Sequence, residues 1–364
     1  MKKSIFYTAF PPPKFLEMQA MGVDISDRSV HFVELRLSKK GLVISKFGEK
    51  AISAGVVESG KIKKAEELTN ILASLRKEID FHFVNVSLPE EHAYLFKLRI
   101  PNMKKSEITN NLELQIEENV PISAREAVFD YDIIGEENRR TDHMEVGVSV
   151  LPRGIADSYV TLFEEAGLMP ISFEIEAQAI ARCVIPEGDK GTFMIVDFGK
   201  TRTGISIVSE EVVRFTSTVN IGGASLTHAI GKALKISFEK AEKIKKEKGM
   251  ARTANNGDNN DLFQTLASTV ATLRDEINKH YIYWNTHDDQ YHKKRSRIEK
   301  IILCGGDSNL FGLPEYLSSG LRVNVGLANT MVNVNSPERY IPEMTFSDSL
   351  RYATAIGLAL RHLT

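Results

Sequence analysis

Two aspartates stand at the ends of apolar runs that resemble each other. Asp24 lies in Met21-Gly22-Val23-Asp24-Ile25-Ser26-Asp27-Arg28-Ser29-Val30, and Asp197 in Ile195-Val196-Asp197-Phe198-Gly199-Lys200-Thr201-Arg202-Thr203-Gly204. Each run reads as an apolar strand, an aspartate, an apolar residue and a polar turn into a second apolar strand. An aspartate leaving a strand can hold a hydrated divalent cation, and small or hydroxylated turn residues let backbone N–H groups approach an anion. Ser26 and Ser29 supply such residues in the first turn; Gly199, Thr201 and Thr203 supply them in the second, beside Lys200. Taken singly, either turn is ordinary hairpin chemistry. Two of them facing each other would clamp a phosphate chain.

A third element follows in Ile301-Ile302-Leu303-Cys304-Gly305-Gly306-Asp307-Ser308-Asn309-Leu310, a buried-type strand entering a Gly-Gly turn backed by capping residues. In order and spacing the three resemble the phosphate-1, phosphate-2 and adenosine motifs of the actin-like ATPase superfamily. Phe173-Glu174-Ile175-Glu176-Ala177-Gln178-Ala179-Ile180-Ala181 is similar to that superfamily's first connecting helix, and Tyr352 to Ala359 to its second; close helix packing on Ala and Gly accounts for both equally well. Ala241 to Lys246 resembles the helix whose Glu and Lys, here Glu242 and Lys245, hold the ribose and adenine edge. The resemblance implies ATP with Mg²⁺ held through water by Asp24 and Asp197. It further implies contacts from Ser26, Asp27, Arg28, Ser29, Gly199, Lys200, Thr201, Thr203, Gly222, Gly223, Gly305, Gly306, Asp307 and Asn309, and a water-positioning role for Glu174. Ser26 replaces the usual glycine, and Asp27 would repel a triphosphate unless turned away or bridged by metal, with Arg28 able to offset it. Nucleotide binding is therefore the expectation, with at most slow hydrolysis.

The 364 residues suggest more than one lobe, and a net charge of −2 gives no reason to expect nucleic acid or anionic lipid as partner. The two cysteines, Cys183 and Cys304, sit in apolar contexts that favour buried free thiols. His280, His287 and His292 lack ligand-like spacing. No run approaches the length of an apolar membrane span.

The elements that must position these residues follow from periodicity: alternating strands over 22–56, a helix at about 64–79, strands at Phe81 to Leu88 and Tyr94 to Ile100, and a helix carrying Ile108, Leu112 and Ile116. Residues 255–261 read as a loop, followed by a long amphipathic helix through Leu266, Val270, Leu273, Ile277 and Tyr281. The expected fold class is α/β, a two-lobed, ribonuclease H-like actin fold. Its divisions are a leader at 1–20, a first lobe at 21–101 and 169–189, an inserted α+β subdomain at 102–168, a second lobe at 190–345, and a returning helix at 346–364.

The insertion resembles that of the FtsA/PilM branch. A chain stopping at Thr364, without the amphipathic tail of FtsA-type division proteins, looks like the PilM family of type IV pilus assembly. That resemblance implies a cytoplasmic adaptor recruited to the inner face of the membrane by the short tail of a PilN-type protein, with pilus motor ATPases as further partners. Leu112 and Ile116 are the expected tail-binding positions. A filament-forming FtsA-like protein or a kinase of the same fold are the alternatives.

Overall fold

The computed structural model describes residues 19–134, 142–250, 257–336, 338, 340–361 and 363. Residues 1–18 of the expected leader and 255–256 of the expected loop lie outside them. From Gly257 the backbone is already helical, because the long apolar stripe propagates its helix back through the polar stretch.

Two five-stranded sheets share one plan. In the first, β1 (Met21–Ile25) forms a hairpin with β2 (Ser29–Ser38), which pairs with β3 (Gly41–Ala51). A small hairpin, β4 (Val57–Glu58) with β5 (Lys61–Ile62), leads to helix α1 (Ala65–Ile79) and then β6 (Phe83–Leu88), parallel to β1. Strand β10 (Met169–Ile175) completes the order β3-β2-β1-β6-β10. The second sheet repeats it with β11 (Thr192–Phe198), β12 (Thr203–Ser209), β13 (Val212–Val219), β14 (Lys300–Cys304) and β15 (Val325–Leu327), ordered β13-β12-β11-β14-β15. The parallel strands are nearly continuous apolar runs because both of their faces are covered. Helix α1 lays Leu68, Leu72 and Leu75 on the first sheet.

Strands β7 (Tyr94–Pro101), β8 (Ala127–Ile134) and β9 (His143–Pro152) form a separate sheet, with β9 in the centre and α2 (Lys105–Asn119) packed on it. Packing draws this subdomain's edges differently from 102–168. Leu98 and Ile100 of β7 belong to its core, whereas α3 (Arg153–Glu165) buries Tyr159, Leu162 and Phe163 in the first-lobe core.

Helix α4 (Glu176–Val184) runs between the sheets. In the second lobe, α5 (Gly223–Leu234), α6 (Phe238–Lys248), α7 (Gly257–Thr286) and α8 (Leu313–Leu321) cover the outer face. After the short α9 (Phe346–Ser349), α10 (Ala353–Leu360) returns to cross α4, buried along its whole length. A Cβ added at Gly357 would lie 1.8 Å from the Ala179 carbonyl oxygen, and one at Gly22 would lie 2.0 Å from that of Ala355. One apolar cluster, containing Ile180, Ile195, Ile302 and Ile356, therefore joins both lobes through the two helices. Cys183 and Cys304 are buried free thiols within it. Among the described residues no helix is long and apolar enough to cross a membrane.

Candidate functional site

Asp24 and Asp197 end equivalent strands of the two sheets, and the duplicated hairpins bring them to one small cavity. The cavity, about 70 Å³, is lined by Asp24, Ser26, Arg28, Glu90, Glu176, Asp197, Gly199, Lys200, Thr201, Arg202, Gly204 and Thr354. Ser87 donates its hydroxyl to Asp24 Oδ1 at 2.7 Å, and His31 Nδ1 stands 3.9 Å from Oδ2. Burial and the neighbouring Asp24 charge push the Asp197 carboxyl up to about 6, and the Cys304 thiol donates to it at 3.9 Å.

Sequence reasoning did not single out Glu90, Glu91, Glu176 and Arg202. Glu90 and Glu91 lie in a short 3-10 turn after β6, and Glu176 starts α4. Arg202 sits in the β11–β12 turn, its Nη1 3.2 Å from Asp27 Oδ1 and 3.1 Å from Glu91 Oε1, its Nη2 3.1 Å from Glu176 Oε1. These partners are remote along the chain, and only its place inside the second motif marked Arg202.

The expected phosphate contacts are largely spent on the protein itself. Ser26 Oγ accepts the N–H groups of Arg28 and Ser29 and closes its own turn. Asp27 accepts from Thr201 Oγ1 (3.1 Å) as well as from Arg202. Thr203 is buried and donates to the Ile221 carbonyl at 2.5 Å, so its hydroxyl is turned from the cavity. The Gly223 and Ala224 N–H groups bond the carbonyls of Gly199 and Lys200.

The adenosine-motif residues form a second group. Lys245 Nζ donates to Asp307 Oδ1 (2.6 Å) and the Gly223 carbonyl (3.1 Å), and Glu242 Oε2 stands 3.0 Å from it. Gly222 and Gly223 are needed because a Cβ would strike Lys200 O at 2.5 Å and the Asp307 carboxyl at 1.9 Å. Gly305 takes φ 86°, a region that favours glycine, and leads through Gly306 to Asn309, whose amide donates to the Ser347 carbonyl.

Two expectations are corrected. Glu174 does not face the cavity: Arg182 holds it through two bonds of 2.5 and 2.6 Å, and Arg361 also pairs with it. The strand ends at Ile175, so the next acid, Glu176, is carried by the helix start into the site. Leu112 and Ile116 are fully buried in the subdomain's own core; their four-residue spacing is that of a helix covering its sheet.

Burial beside Asp197 and Glu91 pushes Glu90 from 4.5 up to about 8, with Arg202 opposing. Between those values the folded state keeps a proton that the unfolded state has released. The stability this confers is fully present below the lower value and lost as pH rises through the higher one. Glu90→Gln, which cannot ionise, is expected to flatten the fall in melting temperature between about pH 5 and about pH 8.5. Parallel slopes for variant and wild type would contradict it.

Among the described residues no three His, Cys, Asp or Glu are gathered to coordinate an ion directly. Asp24 and Asp197 nevertheless line one cavity, and with burial and then the Asp24 charge raising the Asp197 carboxyl, the pair fits a cation held through water.

The repeated sheet order and the two crossing helices are those of the actin-like ATPase fold, and solved structures agree. A PilM-PilN type IV pilus biogenesis complex matches with TM-score 0.77 at 19% identity, covering 95% of this chain and 99% of that one. The ethanolamine utilization protein EutJ from Carboxydothermus hydrogenoformans matches with TM-score 0.55 at 17% identity, covering 96% and 90%. MreB5 of Spiroplasma citri bound to ADP matches with TM-score 0.53 at 12% identity, covering 87% and 94%. Cell division protein FtsA of Enterococcus hirae is 23% identical over 188 residues, 48% of this chain and 42% of that protein, so the matched part spans under half of it. Residues 22–363 match the family described as Type IV pilus assembly protein PilM, and the chain belongs to that family.

Proposed function

We propose that this chain binds ATP with Mg²⁺ between its lobes and serves in type IV pilus assembly as an adaptor for the cytoplasmic tail of a PilN-type membrane protein. The observation that carries the nucleotide part is the convergence of Asp24 and Asp197 from duplicated hairpins on one buried cavity, with Lys200 and Arg28 beside them. The ADP named for the MreB5 structure and the partner named for the PilM complex support the reading.

With Leu112 and Ile116 buried, the tail is assigned to the edge of the subdomain sheet. Among the described residues strand β8 pairs only with β9, and the cavity of about 520 Å³ beside it has Asp130, Asp132, Gln178, Arg182, Val213 and Arg361 in its lining. Extended peptides bind by adding to such an edge, with neighbouring pockets taking side chains.

A ligand that binds only the folded state stabilises it by about 2.7 kcal/mol at a hundredfold excess over Kd, so ATP–Mg²⁺ should raise the melting temperature. In the same preparation, a labelled PilN-type tail peptide should bind the wild type and lose at least about tenfold in affinity with Asp130→Lys and Asp132→Lys together. No thermal shift removes the nucleotide; equal peptide affinity moves the tail elsewhere.

A further inference from the structure

Arg202 occupies an unusual place for a residue of a phosphate-binding turn. Its side chain is 14% exposed, and its fork is divided among Asp27 of the β1–β2 turn, Glu91 of the turn after β6, and Glu176 of α4. Arg202 itself belongs to the second lobe; its partners lie on the first lobe and the connecting helix. Thr201 reinforces the tie through Asp27, which also accepts the Gly60 N–H at 3.3 Å. Glu90 closes the remaining space: its Oε1 stands 2.4 Å from where a Cβ of Gly204 would be. The cavity left is about 70 Å³, whereas sites for drug-sized ligands are about 300–1,000 Å³. Room for a phosphate chain between the two turns grows only as they separate, and the Arg202 guanidinium holds both sides.

We propose that Arg202 is a cross-lobe latch that ties the β11–β12 turn to the β1–β2 turn, the turn after β6 and α4, and that parting these turns for nucleotide entry requires its guanidinium to leave Asp27, Glu91 and Glu176. The proposal rests on the nucleotide reading above and adds to it the residue that controls access. A buried Arg divided among carboxylates makes a strong tie, because removing one partner leaves the others buried and uncompensated. It also means that this guanidinium becomes available to a polyanion only once the tie opens, while Arg28 and Lys200 line the same cavity.

The test begins without nucleotide. Amide hydrogen exchange of the full chain is followed at residues 26–29, 60 and 199–204 in the wild type, Arg202→Ala, Arg202→Lys and Asp27→Asn. The latch predicts exchange faster by about tenfold at these amides in Arg202→Ala and Asp27→Asn, an intermediate effect in Arg202→Lys, and unchanged protection in β11 and β14. Asp27→Asn attacks the tie from the other lobe and removes a negative charge, so it reports even where Arg202→Ala folds poorly. The second readout is the association rate of a fluorescent ATP analogue with Mg²⁺, expected to rise by about tenfold in both variants because opening no longer limits entry. Unchanged exchange in both variants overturns the latch. So does faster exchange with an association rate that is unaltered or lower, the result expected of an Arg202 that merely contacts phosphate. Failure of wild type and variants alike to bind the analogue, with faster exchange, refutes the nucleotide reading and leaves the tie itself established.

Discussion

Gly357→Ala is expected to destabilise the protein more than any surface change near the cleft. Its new methyl would lie 1.8 Å from the Ala179 carbonyl oxygen and 2.5 Å from the carbonyl carbon, both backbone atoms that no rotamer change can move. Helices α4 and α10 must then part. The same contact aligns Arg182, which donates to the Gly357 carbonyl at 2.9 Å and holds Glu174. Overpacking a well-packed core costs about 1–3 kcal/mol and occasionally more; a backbone clash at the junction of both lobes belongs at the upper end. Urea unfolding should show a lower midpoint with an unchanged slope, against a total stability of about 5–15 kcal/mol for a typical domain. A midpoint equal to wild type would mean that the helices can slide apart without loss.

The second large effect is expected at Lys245. It is 3% exposed and touches Asp307, Glu242 and the Gly223 carbonyl. Burial raises the Asp307 carboxyl while the ammonium of Lys245 lowers it, so the pair is mutually dependent. Lys245→Met leaves Asp307 without its cation beside Glu242, which keeps Lys246 at 3.4 Å, at a cost of about 3–5 kcal/mol. Combining it with Asp307→Asn removes the stranded charge and should recover much of the loss. A double-mutant cycle measures the coupling. Additive losses would show that Lys245 acts through packing of its stem alone.

Much of the site was legible because the duplication writes it twice. An aspartate at the end of an apolar strand means little once; in two hairpins, with a Gly-Gly turn behind a third strand, it identified both carboxylates that meet at the cavity. What stayed hidden depended on partners far apart in sequence. Arg202 was visible as a letter in the second motif, but its pairing with Asp27, Glu91 and Glu176 exists only after both lobes assemble. Glu174 and Glu176 are two residues apart, and choosing between them required knowing that the strand stops at Ile175. The stripe of Leu112 and Ile116 was correctly apolar, yet periodicity states that a face is covered and never by what; here β7 and β9 of the same subdomain cover it. The subdomain's edge at Tyr94 was lost for the same reason, since β7 looks like any first-lobe strand until its partner β9 is seen.

The subdomain is fastened to the second lobe as well as continuous with the first. Lys97 pairs with Asp289 at 2.5 Å, Lys293 with Glu145 at 2.8 Å, and the Tyr291 hydroxyl accepts the Arg99 N–H at 2.9 Å while its ring lies under the Arg99 guanidinium. The two crossing helices are thus the axle at the base of the molecule, and this seam is a connecting rod fixed off the axle. A turn of one lobe about α4 and α10 must either strip the rod or swing the β7-β9-β8 sheet with it. The β7-β9-β8 sheet is thereby tied to both lobes, with β8 at its edge away from β7.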